Sequence, residues 1–170
     1  MKTPTIRNAA KVAGAIAALI SAMFLLTGSA ALAGDKTAVP FETYTGYFVS
    51  NKFEPDAAAS FVIIQDQAHF DRVFGTAFVM RDKARRLPPD VFKAHLIIAA
   101  IHRGNALCDF KVAEVAVNDG AVELRYATAF QKSDTATFAC PLIVAIPKGE
   151  YRAVEFVENG RNEKTLTVAK

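Results

Sequence analysis

From residue 96 to residue 168 the chain is a succession of strand-length segments separated by short turn signals, and this spacing constrains the fold more than any other feature. The segments are Leu96–Ile101, Phe110–Val117, Val122–Phe130, Thr137–Ile146, Val154–Val157 and Thr165–Val168. Strands joined by such short turns usually pair antiparallel with their sequence neighbours. We therefore predict a mainly β fold, an antiparallel meander or sandwich.

The polarity of these segments predicts which of them are covered. Val122–Phe130 alternates apolar and polar residues, which is typical of a strand with one face in water. Leu96–Ile101 and Leu142–Ile146 are apolar throughout. We expect these two strands to be central and covered on both faces.

The earlier part of the chain predicts two further strands and one helix. Phe41–Val49 and Ser60–Gln65 have the composition of strands. Asp66 is a candidate N-cap, and Phe70, Val73 and Phe74 follow at helical spacing before Gly75. We predict a short amphipathic helix over Gln67–Phe74, packed on the sheet, so that α+β is the alternative fold label.

The first 33 residues have the pattern of a secretory signal peptide. Lys2, Arg7 and Lys11 precede an apolar run, and Ala31–Leu32–Ala33 supplies the small residues before a cleavage site. We predict cleavage before Gly34, one domain over residues 34–170 in the periplasm or outside the cell, and no membrane span after cleavage. An uncleaved anchor is the alternative.

The net charge of the predicted mature domain is close to zero. The whole chain has 20 basic and 17 acidic residues, and the predicted signal peptide removes three of the basic ones. A domain with 17 residues of each sign has no global field to attract a polyanion. We therefore expect no nucleic-acid partner.

Cys108 and Cys140 are the two cysteines. In a regular meander Cys140 is opposite about Tyr126, which is opposite about Ala113. Cys108 is then more than about 10 Å away, beyond the limit of about 7 Å between bridged Cα atoms. We predict that the cysteines do not bridge and that Cys108 reacts faster than Cys140. A disulfide, which export favours, stays open as the alternative.

The histidines and cysteines do not form a recognisable catalytic or metal-binding motif. His69, His95 and His102 have no paired metal-ligand spacing, and neither cysteine opens a helix, where a thiol is commonly activated. We predict no catalytic residue, no metal and no cofactor. A Cys/His hydrolase is the remaining enzymatic alternative.

Two exposed connections are the candidate partner-binding residues. The first is a basic segment and the second is a turn after the strand at 96–101, and exposed loops commonly carry recognition. The candidates are Arg81, Lys83, Arg85, Arg86, Gly104, Asn105 and Asp109. A solvated face is the simpler interpretation of the basic segment.

Residues 88–157 resemble a known family. The residues that carry the resemblance are Pro89–Phe92, Leu96–Ile98, Arg103–Gly104, Phe110–Val112, Pro141–Lys148, Val154 and Phe156. In these the chain resembles the C-terminal domain of PrcB-type lipoproteins, exported bacterial proteins associated with the stability of a surface protease complex. The chain departs from that family at Asn105–Asp109 and has no cysteine at the predicted cleavage site.

Together these features predict a non-enzymatic, exported protein-interaction domain. The resemblance implies that its partner is another exported protein, such as an extracytoplasmic protease or an envelope complex. The main alternative is a small-molecule-binding β domain. Its pocket would lie between sheet and helix and be lined by Phe61, Phe70, Phe74 and Phe92.

Overall fold

A computed structural model describes residues 36–77 and 85–169. The predicted signal peptide, Arg81 and Lys83 lie outside the described residues. The strands and helices, in chain order, are β1 (Thr37–Ala38), β2 (Glu42–Tyr44), β3 (Tyr47–Val49), β4 (Ala59–Ile64), α1 (Gln67–Val73), β5 (Phe74–Thr76), α2 (Val91–Ala94), β6 (His95–Gly104), β7 (Ala106–Asn118), β8 (Ala121–Lys132), β9 (Phe138–Pro147), β10 (Ala153–Glu158) and β11 (Arg161–Thr167). The predicted mainly β fold with a short helix packed on it is confirmed.

The strands form two packed sheets and a small ribbon. The outer sheet has the order β1-β7-β8-β10-β11, and the central sheet has the order β2-β9-β6-β4. Strands β3 and β5 pair as the ribbon. Neighbouring strands are antiparallel except for β8 and β10, which are parallel.

One hydrophobic core fills the space between the two sheets. Ile98 and Val144 of the central sheet pack there with Leu124 and Phe156 of the outer sheet, and all four are fully buried. Phe61 of β4 extends this core, because its ring centroid lies 5.0 Å from that of Phe156. The sheets are therefore held together by side chains that alternate along each strand.

A second core covers the opposite face of the central sheet. Phe70 and Val73 of α1 and Phe74 of β5 pack there against Ile97 and Ile143. The prediction that the strands around 96–101 and 142–146 are covered on both faces is thus confirmed. No helix among the described residues is long and apolar enough to cross a membrane.

Helix α1 begins where the sequence predicts, but it does not end at a glycine. Asp66 Oδ1 accepts a hydrogen bond from His69 N at 2.7 Å, which confirms the N-cap. Gly75 does not close the helix; it belongs to β5, where the ring of Phe48 lies on its bare Cα. A Cβ at this position would overlap the ring, so the glycine serves packing rather than helix termination.

The predicted single strand over Phe41–Val49 is wrong, because the chain breaks at Gly46. This glycine has a φ of +82°, a conformation that a strand does not adopt. The break sends β2 to the edge of the central sheet and β3 into the ribbon. Tyr44 and Val49 can therefore both be buried although they are five residues apart.

The predicted pairing of sequence neighbours is correct for β7 with β8 and for β10 with β11, and wrong for β6 with β7 and for β8 with β9. Strands β7 and β8 form the predicted hairpin at Asp119–Gly120, with φ values of +47° and +74°, and a bulge at Ala113 places Val112 opposite Tyr126. Strand β9 then leaves β8 and pairs with β6. The physical reason is that β9 is apolar on both faces, whereas the outer sheet has one face in water.

Candidate functional site

The described part of the basic segment is tied to the edge of the central sheet. Arg85 forms an ion pair with Glu42 at 3.0 Å, and its guanidinium carbon lies 5.6 Å from the centroid of the Tyr44 ring. The Tyr44 hydroxyl and Arg85 lower the pKa of Glu42, while burial and Glu42 raise the pKa of Tyr44 to about 12. Arg86 donates a hydrogen bond to the carbonyl of Ala77 at 2.7 Å.

Of the other predicted residues, Gly104 lies at the far end of the same sheet, and Asn105 and Asp109 follow it into β7 of the outer sheet. Glu42 is paired through Ala145 with Ile97, which is seven residues before Gly104 along β6. At about 3.3 Å per residue, Glu42, the ion-pair partner of Arg85, is separated from Gly104 by about 23 Å along the strands. The structure therefore does not combine the two predicted halves into one surface.

Asn105, Asp109 and Gly104 do lie together, at the end of the sandwich where β6 turns into β7. The carbonyl of Asn105 accepts a hydrogen bond from Ser133 N at 2.7 Å, and Asp109 is paired with Ala129. We call this region the β6–β7 end. Its side chains between the two sheets are those of His102, Cys108, Phe110, Tyr126, Thr128, Phe130, Cys140 and Glu158.

Glu158 is the polar centre of the β6–β7 end. Its side chain is buried, and its Oε2 accepts hydrogen bonds from His102 Nε2 at 2.8 Å and from the Tyr126 hydroxyl at 3.3 Å. Burial, followed by the nearby carboxylate of Glu158, raises the pKa of Tyr126. The three side chains thus join the central sheet to the outer sheet through one buried carboxylate.

Thr128 is the neighbour of this cluster along β8. Its backbone N–H donates to Asn159 Oδ1 at 3.2 Å, but its buried Oγ1 has no hydrogen-bonding partner in the protein. A buried hydroxyl without a partner costs free energy. This position is therefore a local weakness in an otherwise satisfied polar cluster.

Two aromatic rings pack against His102. The ring of His102 stacks on Phe110 with centroids 5.7 Å apart and meets the edge of Phe130 at 5.6 Å. Phe130 is nevertheless 56% exposed, and Leu107, on the other face of the same hairpin, is 48% exposed. The β6–β7 end thus presents large apolar side chains to solvent.

The two cysteines meet at this end, which corrects the separation predicted from a regular meander. The backbone N–H of Cys108 donates to Cys140 Sγ at 3.2 Å. The two thiols donate to the same carbonyl oxygen, that of Ala106, at 3.7 Å and 3.9 Å. The sulfurs are unbonded, but they are neighbours because β9 belongs to the central sheet and crosses close to β7.

The thiol of Cys108 is not activated as a nucleophile in this arrangement. Burial, followed by the hydrogen bond with Cys140, raises the pKa of Cys108 to about 12. A nucleophilic cysteine needs the opposite shift, toward the thiolate at neutral pH. Among the described residues, no group of three His, Cys, Asp or Glu side chains is placed to hold a metal ion.

A cavity of about 600 Å³ adjoins the β6–β7 end, on the face of the central sheet that is turned away from the outer sheet. Arg103 forms one wall, and its guanidinium is held by Ser60 Oγ at 2.7 Å and by the carbonyl of Phe53 at 2.8 Å. Gly104 and Phe138 also line the cavity. Arg103 therefore fastens the loop between β3 and β4 and shapes this surface.

The predicted small-molecule pocket is not formed by the four phenylalanines. Phe70 contacts Phe74 and Phe92 in the second core, with ring centroids 5.1 Å and 6.0 Å apart. Phe61 lies on the opposite side of the central sheet, against Phe156. The two groups are separated by the sheet itself and cannot line one pocket.

No family model, curated protein or solved structure matches this chain. The candidate site therefore depends on its geometry alone. Sequence reasoning missed Tyr126, Phe130 and Glu158, although one signal was present. Tyr126, Thr128 and Phe130 follow one another at a spacing of two along β8, so they share the face that turns toward the central sheet.

Proposed function

We propose that the protein is a non-enzymatic interaction domain that acts outside the cytoplasm and binds another exported protein through its β6–β7 end. The observation that supports this best is the exposure of Phe130 beside the half-buried ring of Phe110. Aromatic side chains at the centre of a patch are the commonest source of binding energy at protein interfaces.

The polar surroundings of Phe130 fit the same role. Gly104 and Asn105 are exposed at the turn from β6 to β7, at the same end of the sandwich, and Asp109 is exposed on the other face of the hairpin. The buried contact between His102 and Glu158 fixes the aromatic side chains on strands rather than on a loose loop. A rigid apolar centre within a polar rim is the usual anatomy of an interface.

The absence of a role in catalysis is also part of the proposal. It is supported by the raised pKa of Cys108 and by the use of Glu158 as a structural acceptor for two side chains. The resemblance to PrcB-type lipoproteins suggests the class of partner, an extracytoplasmic protease or an envelope complex.

Site-specific photo-crosslinking tests the proposal. A photoreactive phenylalanine analogue is placed at position 130 or, as the matched control, at position 41, where Phe41 is 38% exposed near β2. We expect ultraviolet irradiation of cells expressing these variants to give a discrete protein adduct from position 130 and none from position 41.

Two results would contradict the proposal. Adducts of equal yield from both positions would show contact without a defined face. No adduct from position 130, together with a small molecule retained in native mass spectrometry, would favour the small-molecule-binding alternative.

A further inference from the structure

Cys108 and Cys140 lie close together at the β6–β7 end, and the proposed function does not involve them. Cys108 lies on β7 of the outer sheet, and Cys140 lies on β9 of the central sheet. They are the only two cysteines of the chain. We propose that they are an oxidation site, at which a disulfide oxidant converts the two thiols to an intramolecular disulfide that joins the sheets.

The contacts between the two residues favour bond formation. Cys140 Sγ lies 3.2 Å from the backbone nitrogen of Cys108, and both thiols donate to the carbonyl of Ala106. The bond can therefore form without a change of strand pairing.

The exposure of the two cysteines determines which of them reacts first with the oxidant. Cys108 is half-buried, whereas Cys140 is 8% exposed, so an oxidant R–S–S–R meets Cys108 first. The thiolate of Cys108 attacks one sulfur of R–S–S–R, forming a mixed disulfide and releasing R–S⁻, which takes up a proton. The thiolate of Cys140 then attacks the Cys108 sulfur and expels the second R–S⁻, which is also protonated.

Two protein thiols are oxidised to one disulfide, and one oxidant disulfide is reduced to two molecules of R–SH. Because the pKa of Cys108 is raised to about 12, its thiolate is scarce at neutral pH and the first step is slow. We expect the rate to increase with pH up to about that value.

The bond would constrain more than the two side chains. It would close a loop of about 33 residues that contains the whole of β8, and such a loop loses entropy in the unfolded chain. For a domain of this size we expect the midpoint of thermal unfolding to rise by about 10 °C on oxidation. The bridge would also fix β7 against β9 next to Phe130, the cross-strand partner of Cys108.

The test uses the purified chain, fully reduced and then incubated with excess oxidised glutathione at mildly alkaline pH. We expect intact-mass measurement to show the loss of two hydrogens, no glutathione adduct and no thiol that alkylates after denaturation. The yield should not depend on protein concentration. Thermal unfolding should show the predicted rise, which a reductant should reverse.

The single variants Cys108→Ser and Cys140→Ser are the controls. We expect each to stop at a glutathione adduct or to remain unreacted, with no rise in the unfolding midpoint. Should either variant fail to fold, the mass and thermal measurements on the parent chain still decide. A parent chain that retains a glutathione adduct, that forms only intermolecular dimers, or that bridges with a lowered midpoint would overturn the proposal.

Discussion

At the scale of single residues, Thr128 has a buried hydroxyl that the protein leaves without a hydrogen bond. Its Oγ1 is buried without a partner in the protein, while its methyl group and backbone lie in the strand β8. Thr128→Val removes the hydroxyl and keeps the β-branched shape. We expect the free energy of unfolding to increase by about 1 kcal/mol in denaturant titrations, because an unsatisfied polar group is replaced by an apolar one.

The matched variant Thr128→Ser keeps the hydroxyl and loses the methyl group. It should lower the free energy of unfolding by about 1 kcal/mol through lost apolar burial. If the valine variant is also less stable than the parent chain, the hydroxyl makes a favourable interaction and our view of this position is wrong.

At the scale of elements, helix α1 depends on its N-cap. The helix is seven residues long, too short to be stable alone, and Asp66 Oδ1 satisfies one of its first N–H groups. We expect Asp66→Ala to lower the free energy of unfolding by about 1 kcal/mol. Asp66→Asn keeps the acceptor and should lose much less, and equal losses for the two variants would show that the cap is unimportant.

Short local signals allowed helix α1 and the hairpin of β7 and β8 to be predicted from the sequence. The Asp66 cap and the Asp119–Gly120 turn are encoded within a few residues, and both are where the sequence predicts them. The pairing of β9 with β6 is encoded far apart, in two segments that are apolar on both faces. Sequence proximity favoured β8 as the partner, but β8 has one wet face.

The incorrect pairing of β9 with β8 also prevented the candidate site from being predicted. With β9 placed beside β8, Cys140 is far from Cys108 and His102 has no relation to Glu158. In the structure, β9 lies in the central sheet and Cys140 is paired with His102, while β10 brings Glu158 beside Tyr126 through a parallel pairing. Parallel and long-range pairings leave no local turn signal, so residue spacing alone could not predict this cluster.

At the scale of the whole molecule, the two predicted binding regions lie at opposite ends of the central sheet. Arg85 contacts Glu42 and the Tyr44 ring near one end, and Phe130 is exposed near the other. Because the Arg85 ion pair is largely exposed, its contribution to stability is small, and we expect Arg85→Ala to lower the free energy of unfolding only slightly. We therefore expect Arg85 to stabilise the fold and Phe130 to contact the partner.

Calorimetric titration of the crosslinked partner with Phe130→Ala and Arg85→Ala tests this assignment most directly. We expect Phe130→Ala to weaken binding by about tenfold or more, since it removes the exposed aromatic centre of the patch. Arg85→Ala should change the dissociation constant by less than about twofold at any salt concentration. A tenfold loss with Arg85→Ala and none with Phe130→Ala would contradict the account and place the partner on the basic segment.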